Sequence, residues 1–181
     1  MSMKVMIIAA MTADGFIGKN ADHLATSWTN AEDKYLFTHF VQQANTMVMG
    51  YNTFMTTARK YPSVFVKSMP GRRLLVYTHN AAAVEKYPQV EAVSEPPAEL
   101  VARLEREGVQ ALAVCGGAQI YTMFMQVGVV HDLYIDMQAT LFGAGVPLFN
   151  APVEASLTLQ TIKRLGPNNA LLHYRINTAT V

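Results

Sequence analysis

The fold is decided by the stretch from Val109 to Tyr121, which reads Val-Gln-Ala-Leu-Ala-Val-Cys-Gly-Gly-Ala-Gln-Ile-Tyr. Its residues up to Cys115 are mainly apolar and predict a buried strand, and the pair Gly116-Gly117 then opens a helix. Because glycine lacks a side chain, a ligand can reach this backbone, where free N–H groups and the helix dipole favour an anion such as a dinucleotide pyrophosphate. Many strand-to-helix turns carry glycine for steric reasons alone, so the motif needs support from elsewhere in the chain.

Strands and helices alternate on both sides of this stretch. Apolar runs predict strands at Lys4–Met11, Thr46–Met49, Arg73–Thr78, Val90–Val93, Val109–Cys115 and Val130–Gln138. Helices are predicted at Ala31–Ala44 with Asn30 as its cap, after Gly50, near Ala81–Lys86, at Pro97–Glu107 and at Ala118–Val127. This order is typical of a three-layer α/β fold, a mostly parallel central sheet with helices on both faces. Alternating residues in Leu157–Leu165 and Leu171–Asn177 predict a C-terminal antiparallel hairpin.

The composition indicates one compact domain over residues 1–181, with 51% hydrophobic and 15% charged residues. The formal net charge is +1 and the basic residues are scattered, so the chain shows no footprint for a nucleic acid or an anionic membrane. With one cysteine and five scattered histidines, we expect no disulfide framework, no bound metal and a cytoplasmic location. Lys4–Met11 fits a first core strand better than a signal peptide, and no apolar run reaches the ~18 residues of a membrane helix.

Three loops follow predicted strands and are expected at one edge of the sheet, where open α/β sheets bind ligands. They are the glycine pair, the turn Gly50-Tyr51-Asn52-Thr53 and the loop Thr12–Gly18. Backbone N–H groups and the Thr53 hydroxyl can hold phosphate oxygens, although a helix cap by Asn52 or Thr53 explains the same pattern. The Thr12–Gly18 loop suits a flap over a ligand and suits an ordinary tight turn equally well.

Asp33 is the first candidate for chemistry, because Phe37 lies four residues further along the same helix. A carboxylate beside an aromatic ring can hold a flat heterocycle, the ring by stacking and the carboxylate by accepting hydrogen bonds. The alternative is that Asp33 only complements the helix dipole. Trp28, the single tryptophan, either walls a pocket or packs in the core.

Further candidates lie at strand ends and inside one strand. Arg72 can pair with a ligand carboxylate or phosphate, and Thr78 and His79 follow a strand and can approach a nucleotide, although most surface Arg and loop His residues have no such role. Asp136 lies inside an apolar strand and needs a partner or a function, unless it faces solvent on an edge strand.

In this order, these residues resemble the dihydrofolate reductase-like superfamily over nearly the whole chain. The matching segments are Ala9-Ala10-Met11 with Ile17-Gly18; Trp28 with Asp33 and Phe37; Val48–Thr53; Pro70-Gly71-Arg72; Cys115–Tyr121; and Leu133-Tyr134. The Trp28–Asp33 spacing and Pro70-Gly71-Arg72 look like true dihydrofolate reductases. The segments Ser27–Phe37 and Gly143–Phe149 look instead like the reductase domain of riboflavin biosynthesis and the stand-alone proteins similar to it.

The resemblance implies a reductase that uses NADPH, with NADH as an alternative, and a heterocyclic small-molecule substrate. The cofactor residues it implies are Ala10, Ile17, Gly18, Gly50, Asn52, Thr53, Thr78, His79, Gly116, Gly117, Ala118, Gln119, Ile120 and Tyr121. Asp33 would be the catalytic acid, and the substrate would contact Trp28, Phe37, Arg72 and Asp136.

Where Asp136 stands, dihydrofolate reductases usually have Thr, and a second carboxylate there would repel the first or share its proton. The riboflavin branch is preferred for the substrate, with dihydrofolate reduction and a non-catalytic nucleotide-binding module as alternatives. Homodimerisation through edge strands is also implied, since riboflavin-type relatives commonly dimerise.

Overall fold

A computed structural model describes residues 2–61 and 72–177 of the chain. Its strands are β1 Lys4–Thr12, β2 Phe16–Gly18, β3 Thr46–Gly50, β4 Arg73–Tyr77, β5 Val90–Val93, β6 Ala111–Val114, β7 Asp132–Gln138, β8 Val146–Pro147, β9 Leu157–Arg164 and β10 Asn169–Ile176. Its α-helices are α1 Ala31–Ala44, α2 Tyr51–Lys60, α3 Pro97–Arg106 and α4 Ala118–Gln126. Pro70 and Gly71 of the Pro-Gly-Arg segment lie outside the described residues.

Eight of these strands form one sheet in the order β5-β4-β3-β6-β1-β7-β10-β9. All pairings from β5 to β7 are parallel, whereas β10 runs antiparallel to both β7 and β9. The predicted α/β class, the mostly parallel sheet and the C-terminal hairpin are therefore confirmed. β7 lies between β1 and β10, so Asp136 is not on an edge strand.

Two apolar layers cover the sheet because the central strands are apolar on both faces. On one face, Val5 and Ile7 of β1 pack with a buried cluster that includes Leu100 of α3 and Phe124 of α4. On the other face, the intervening β1 residues pack with helices α1 and α2, whose buried residues include Val41 and Phe54. Burial on both sides fixes the strand register, and with it the positions of the loops at the carboxyl edge.

A second, two-stranded sheet joins the loop after β1 to the glycine-rich turn near residue 145. Strand β2 pairs with β8, and a side chain at Gly145 would collide with the carbonyl oxygen of Gly18. The Asp14 carboxylate accepts hydrogen bonds from the Gly143 and Phe142 backbone N–H groups, at 2.7 Å and 3.1 Å. The Thr12–Gly18 loop is therefore anchored at its base to a turn more than 120 residues away.

Several predicted boundaries differ from the structure for local reasons. The strand predicted from Val109 begins at Ala111, because the Val109 N–H bonds to the Leu104 carbonyl and closes helix α3, with Gly108 at φ +82°. The helix predicted near Ala81–Lys86 is a 3-10 turn over Ala81–Val84. Within the described ranges, no helix is long and apolar enough to cross a bilayer.

Candidate active site

A cleft of about 860 Å³ opens at the carboxyl edge of the sheet. Helices α1, α2 and α4 begin at its walls, and the ends of β1, β3, β4 and β6 form its floor. The predicted site residues that line it are Ala10, Ile17, Gly18, Asp33, Phe37, Gly50, Asn52, Thr53, Arg72, Thr78, His79, Gly116, Gly117, Ala118, Gln119, Ile120, Tyr121 and Asp136. The fold therefore gathers residues from six segments of the sequence around one cavity.

The glycine pair forms a bare backbone surface in this cleft. Gly116 has φ +98°, and a Cβ there would lie 3.0 Å from the Tyr121 hydroxyl oxygen. That hydroxyl is fixed, since it donates to the Ile8 carbonyl oxygen at 2.8 Å. At Gly117 a Cβ would lie 3.3 Å from Thr53 Oγ1. The turn therefore admits only glycine at position 116 without rearrangement, and at position 117 a side chain would narrow the gap to Thr53.

Two helix N-termini meet at this surface. Gly50 caps α2 and Gly117 caps α4, and neither helix has a side-chain capping hydrogen bond. The helix cap by Asn52 or Thr53 that the sequence allowed is thus not formed. The Gly50 N–H donates to the Gly116 carbonyl at 2.8 Å, which holds the two helix starts together. Because uncapped N-termini present N–H groups and positive dipole ends, the residues present fit the diphosphate of a dinucleotide.

Asp33 and Asp136 form a buried carboxyl pair in the same cleft. Asp33 is 8% exposed and Asp136 is 3% exposed. Burial raises the pKa of Asp33, and the Thr29 hydroxyl, the Asp136 carboxyl and Lys34 only partly oppose this rise. Burial and the hydrogen-bonded Asp33 carboxyl raise the pKa of Asp136, whereas Asn169 and Gln138 oppose the rise, and the pair as a whole loses its shared proton with a pKa of about 7. The low exposure of Asp136 excludes the solvent-facing position considered for it. The raised pKa values mean that the two acids hold one proton between them up to about neutral pH.

Amide side chains from distant segments surround this pair. Gln138 Nε2 lies 2.7 Å from Asp136 Oδ2, and Asn169 Nδ2 lies 3.0 Å and 3.1 Å from the two Asp136 oxygens. Asn169 Nδ2 also lies 3.3 Å from Asn30 Oδ1, which accepts the Asp33 backbone N–H at 3.0 Å. The predicted cap of α1 by Asn30 is thereby confirmed, and it is linked through Asn169 to the acid pair.

A family model for dihydrofolate reductase matches residues 4–144. The chain belongs to the dihydrofolate reductase family. The uncharacterized protein YwjB of Bacillus subtilis is 24% identical over 179 residues, 96% of this chain and 98% of its own.

Two solved structures share the fold. One, a candidate riboflavin biosynthesis protein from Shewanella sp. PV-4, superposes with a TM-score of 0.77 at 20% identity, covering 97% of this chain and 100% of the other. The other is dihydrofolate reductase from Enterococcus faecalis in complex with NADP(H), with a TM-score of 0.66 at 18% identity and 97% coverage of both chains. The superfamily resemblance is thus confirmed.

Within this dihydrofolate reductase fold, Trp28 is the predicted site residue that does not line the cleft. Its ring packs edge-on against Phe142, with centroids 5.1 Å apart, and its Nε1 is buried without a hydrogen-bond partner among the described residues. Phe142 belongs to the turn that holds the Thr12–Gly18 loop. Direct substrate contact by Trp28 stays a prediction, and in this structure the ring supports the loop that borders the cleft.

Basic side chains line the cleft at several places, including His23. Lys34 follows Asp33 on α1, and Arg72 and His79 flank strand β4. Arg73, by contrast, lies outside the cleft lining and forms ion pairs with Glu91 and Glu107. Across residues 2–61 and 72–177, no group of three or more His, Cys, Asp and Glu side chains is placed to hold a metal ion.

Sequence reasoning missed the three side chains that complete the site, Lys34, Gln138 and Asn169. Gln138 had a usable signal, because it lies two residues after Asp136 and therefore on the same strand face. Asn169 had none, since it reads as an ordinary residue of the hairpin turn and lies beyond the span that the dihydrofolate reductase family model matches.

Proposed function

We propose that the protein is an NADPH-dependent reductase of a pyrimidine- or pteridine-type heterocycle. The observation that carries this proposal is the presence, in one cleft, of a bare glycine cradle between two helix N-termini and a buried acid pair that holds one proton up to about neutral pH. When bound, the cofactor supplies the hydride. The chain supplies binding, orientation, exclusion of water and a proton.

Each wall of the cleft has a separate task in this proposal. Gly116, Gly117 and the residues after Gly50 in the Gly50–Thr53 turn hold the diphosphate through backbone N–H groups. Phe37 packs on one face of the substrate ring, and Asp33, four residues earlier on α1, hydrogen-bonds its edge. Arg72, which also lines the cleft, is the group suited to a substrate phosphate.

The preferred substrate is of the 5-amino-6-(5-phosphoribosylamino)uracil type. The likeness to the Shewanella candidate riboflavin biosynthesis protein supports this choice, as does the Gly143–Phe149 turn against which Gly18 packs. Dihydrofolate is the second candidate, and the family match over residues 4–144 favours it.

The single cysteine, Cys115, is a buried free thiol, which suits a reducing compartment such as the cytoplasm.

The test is NADPH oxidation, followed by absorbance, with the phosphoribosylamino-pyrimidine, dihydrofolate and dihydropterins as substrates. We expect turnover with the phosphorylated pyrimidine. Asp33→Asn should lower kcat by about 10²–10⁴-fold, because it removes a general acid, and should leave NADPH affinity unchanged. Glu99→Gln, which changes an exposed carboxyl outside the cleft lining, is the matched control and should keep full activity.

Two results would overturn the proposal in different ways. If fluorescence titration detects no NADPH binding, the glycine cradle is not a cofactor site. If NADPH binds but no substrate in the panel is reduced, the protein is a nucleotide-binding module rather than a reductase.

A further inference from the structure

The orientation of the amide groups around the acid pair is fixed by one unambiguous donor. The Asp33 backbone N–H can only donate, so the Asn30 side-chain atom 3.0 Å away is the acceptor Oδ1. The Asn169 atom that faces Asn30 Oδ1 at 3.3 Å must then be its NH₂ group. Asn30 Oδ1 therefore accepts from both the Asp33 backbone N–H and Asn169, which fixes the NH₂ group of Asn169 as the donor that also faces Asp136.

This assignment determines what Asp136 can do. The same Asn169 NH₂ group faces both Asp136 oxygens, and Gln138 adds a third contact at 2.7 Å. All of these groups are donors, so the Asp136 oxygens act as acceptors, and donors of this kind stabilise the ionised form of a carboxyl group.

Asp33 has a much weaker set of donors around its carboxyl group. The Thr29 hydroxyl lies beside it, but Thr29 Oγ1 makes no well-formed hydrogen bond within the described part of the chain. A proton shared by the pair is therefore favoured on Asp33, with Asp136 as its acceptor.

We propose that Asn169 and Gln138 hold Asp136 as the anion of the pair, so that Asp33 carries the single proton and offers it to the substrate. Asp33 then recognises an acceptor atom, a ring carbonyl oxygen or an unprotonated nitrogen next to the bond that is reduced. An ionised acid in this position would instead select a ring edge rich in N–H groups. Asp136, Asn169 and Gln138 are positioning residues in this arrangement, which rests on the proposed function.

Other charged groups near the pair do not change this assignment. Lys34 lies on the Asp33 side and lowers the pKa of that carboxyl, but burial outweighs it. Tyr121 on α4 is fully buried, and burial, Cys115 and Asp33 all raise the pKa of its hydroxyl, so the ring stays neutral. The Asp33–Asp136 pair thus stays a one-proton system up to about neutral pH.

Each turnover removes one proton from the Asp33–Asp136 pair and returns one to it. One proton moves from Asp33 to the acceptor atom of the substrate, which leaves both carboxyl groups ionised. Mutual repulsion and burial then make the pair take up one proton from water, which restores the starting state.

Carboxyl ¹³C NMR of aspartate-labelled protein without any ligand tests the proposal, because the chain has only five aspartates. At pH 6 we expect the Asp33 Cγ shift to be that of a protonated carboxyl and the Asp136 shift that of an ionised one. As the pH rises, the Asp33 signal should then move to the shift of an ionised carboxyl, at a pH above the usual range of an aspartate. The reverse pattern, with Asp136 protonated and Asp33 ionised, would overturn the proposal.

Variants test the part that the amides play. Asn169→Ala removes two contacts from Asp136, so the two Cγ shifts should converge at pH 6 and the titration midpoint should rise. Asn168→Ala, an exposed neighbour in the same turn, is the matched control and should reproduce the wild-type spectrum. Unchanged shifts in folded Asn169→Ala would contradict the role given to Asn169. Since no cofactor or substrate is present, these results are independent of whether the protein reduces the proposed substrate.

Discussion

The acid pair shows at the scale of single residues how environment sets chemistry. Asp132 and Asp136 lie on the same strand with both side chains buried, yet their pKa values move in opposite directions. Burial works to raise the pKa of Asp132, but His173 and Lys4, 2.6 Å and 3.3 Å away, outweigh it and lower that pKa. Burial and the Asp33 carboxyl raise the pKa of Asp136, and the neutral amides of Asn169 and Gln138 offset this rise only in part. Asp132 is therefore a structural anion, whereas Asp136 belongs to a coupled pair that shares one proton.

The one proton that the Asp33–Asp136 pair holds predicts a pH-dependent stability. A native state that binds the proton more tightly than the unfolded chain gains stability below the unfolded pKa of about 3.9, and this gain is lost as pH rises through about 7. The free energy of unfolding of wild type relative to Asp136→Asn should therefore fall between about pH 4 and pH 7. Urea unfolding at a series of pH values measures this difference.

Asp132→Asn is the matched control, because the free energy of unfolding of wild type relative to this variant should change with pH in the opposite direction. Because its folded pKa is lowered, the stabilisation from Asp132 is present above the unfolded value and is lost as pH falls. A flat difference between wild type and Asp136→Asn across the whole range would show that the pair does not hold a proton in the native state.

At the scale of elements, the small β2–β8 sheet positions one wall of the cleft. Ile17 and Gly18 line the cleft, and β8 approaches them because Gly145 has no side chain. Gly145→Ala should displace the Gly18 backbone and weaken NADPH binding by about tenfold or more, equivalent to about 1.4 kcal/mol.

Gly143→Asn is the control for this change, because Gly143 lies in the same turn and a Cβ added there would meet no other atom within 4 Å. Its φ of +74° is a conformation that Asn tolerates. NADPH affinity should be unchanged in this variant. Equal affinity in wild type and folded Gly145→Ala would show that the β2–β8 contact does not shape the cofactor site.

Local signals explain why much of the fold could be predicted. Helix α1 was predicted at its observed bounds because Asn30 caps it and apolar residues recur along it. The Gly116-Gly117 turn was found because a strand, two glycines and a helix follow one another in the sequence. Both depend on interactions over a few residues.

Long-range contacts explain what could not be predicted. The β2–β8 sheet has only three and two residues per strand, too few to show alternation. Asn169 reaches Asp136 across 33 residues and Asn30 across 139, and no sequence pattern connects these positions. The acid pair itself was foreseen only as a possibility, because it joins α1 to β7, two elements far apart in the sequence.

At the scale of the whole molecule, the C-terminal hairpin leaves an exposed edge. All eight residues of β9 are exposed, and Leu157, Leu159 and Ile162 are 41%, 49% and 64% exposed. They pair in register with Ile176, Tyr174 and Leu172, so apolar side chains of both strands share one face. We propose that the β9 edge pairs with the β9 edge of a second copy of this chain about a two-fold axis. In such a dimer, the second copy also covers the exposed apolar side chains of this face.

The oligomeric state tests this proposal. Light scattering after gel filtration should give twice the chain mass of 19.9 kDa. Ile162→Lys should give the monomer mass, because it places a charge in the apolar face, whereas Thr161→Lys, on the opposite face, should keep the dimer. A monomeric wild type would contradict the proposal.

The central claim is that a dinucleotide lies across the glycine cradle with its reactive end beside Asp33. A crystal structure of the protein with bound NADP⁺ tests it most directly. We predict diphosphate oxygens at hydrogen-bond distance from the backbone N–H groups where α4 begins at Gly117, and the nicotinamide ring in the cleft next to Asp33. A cofactor bound elsewhere on the surface, or a diphosphate that does not contact Gly116-Gly117, would contradict the claim.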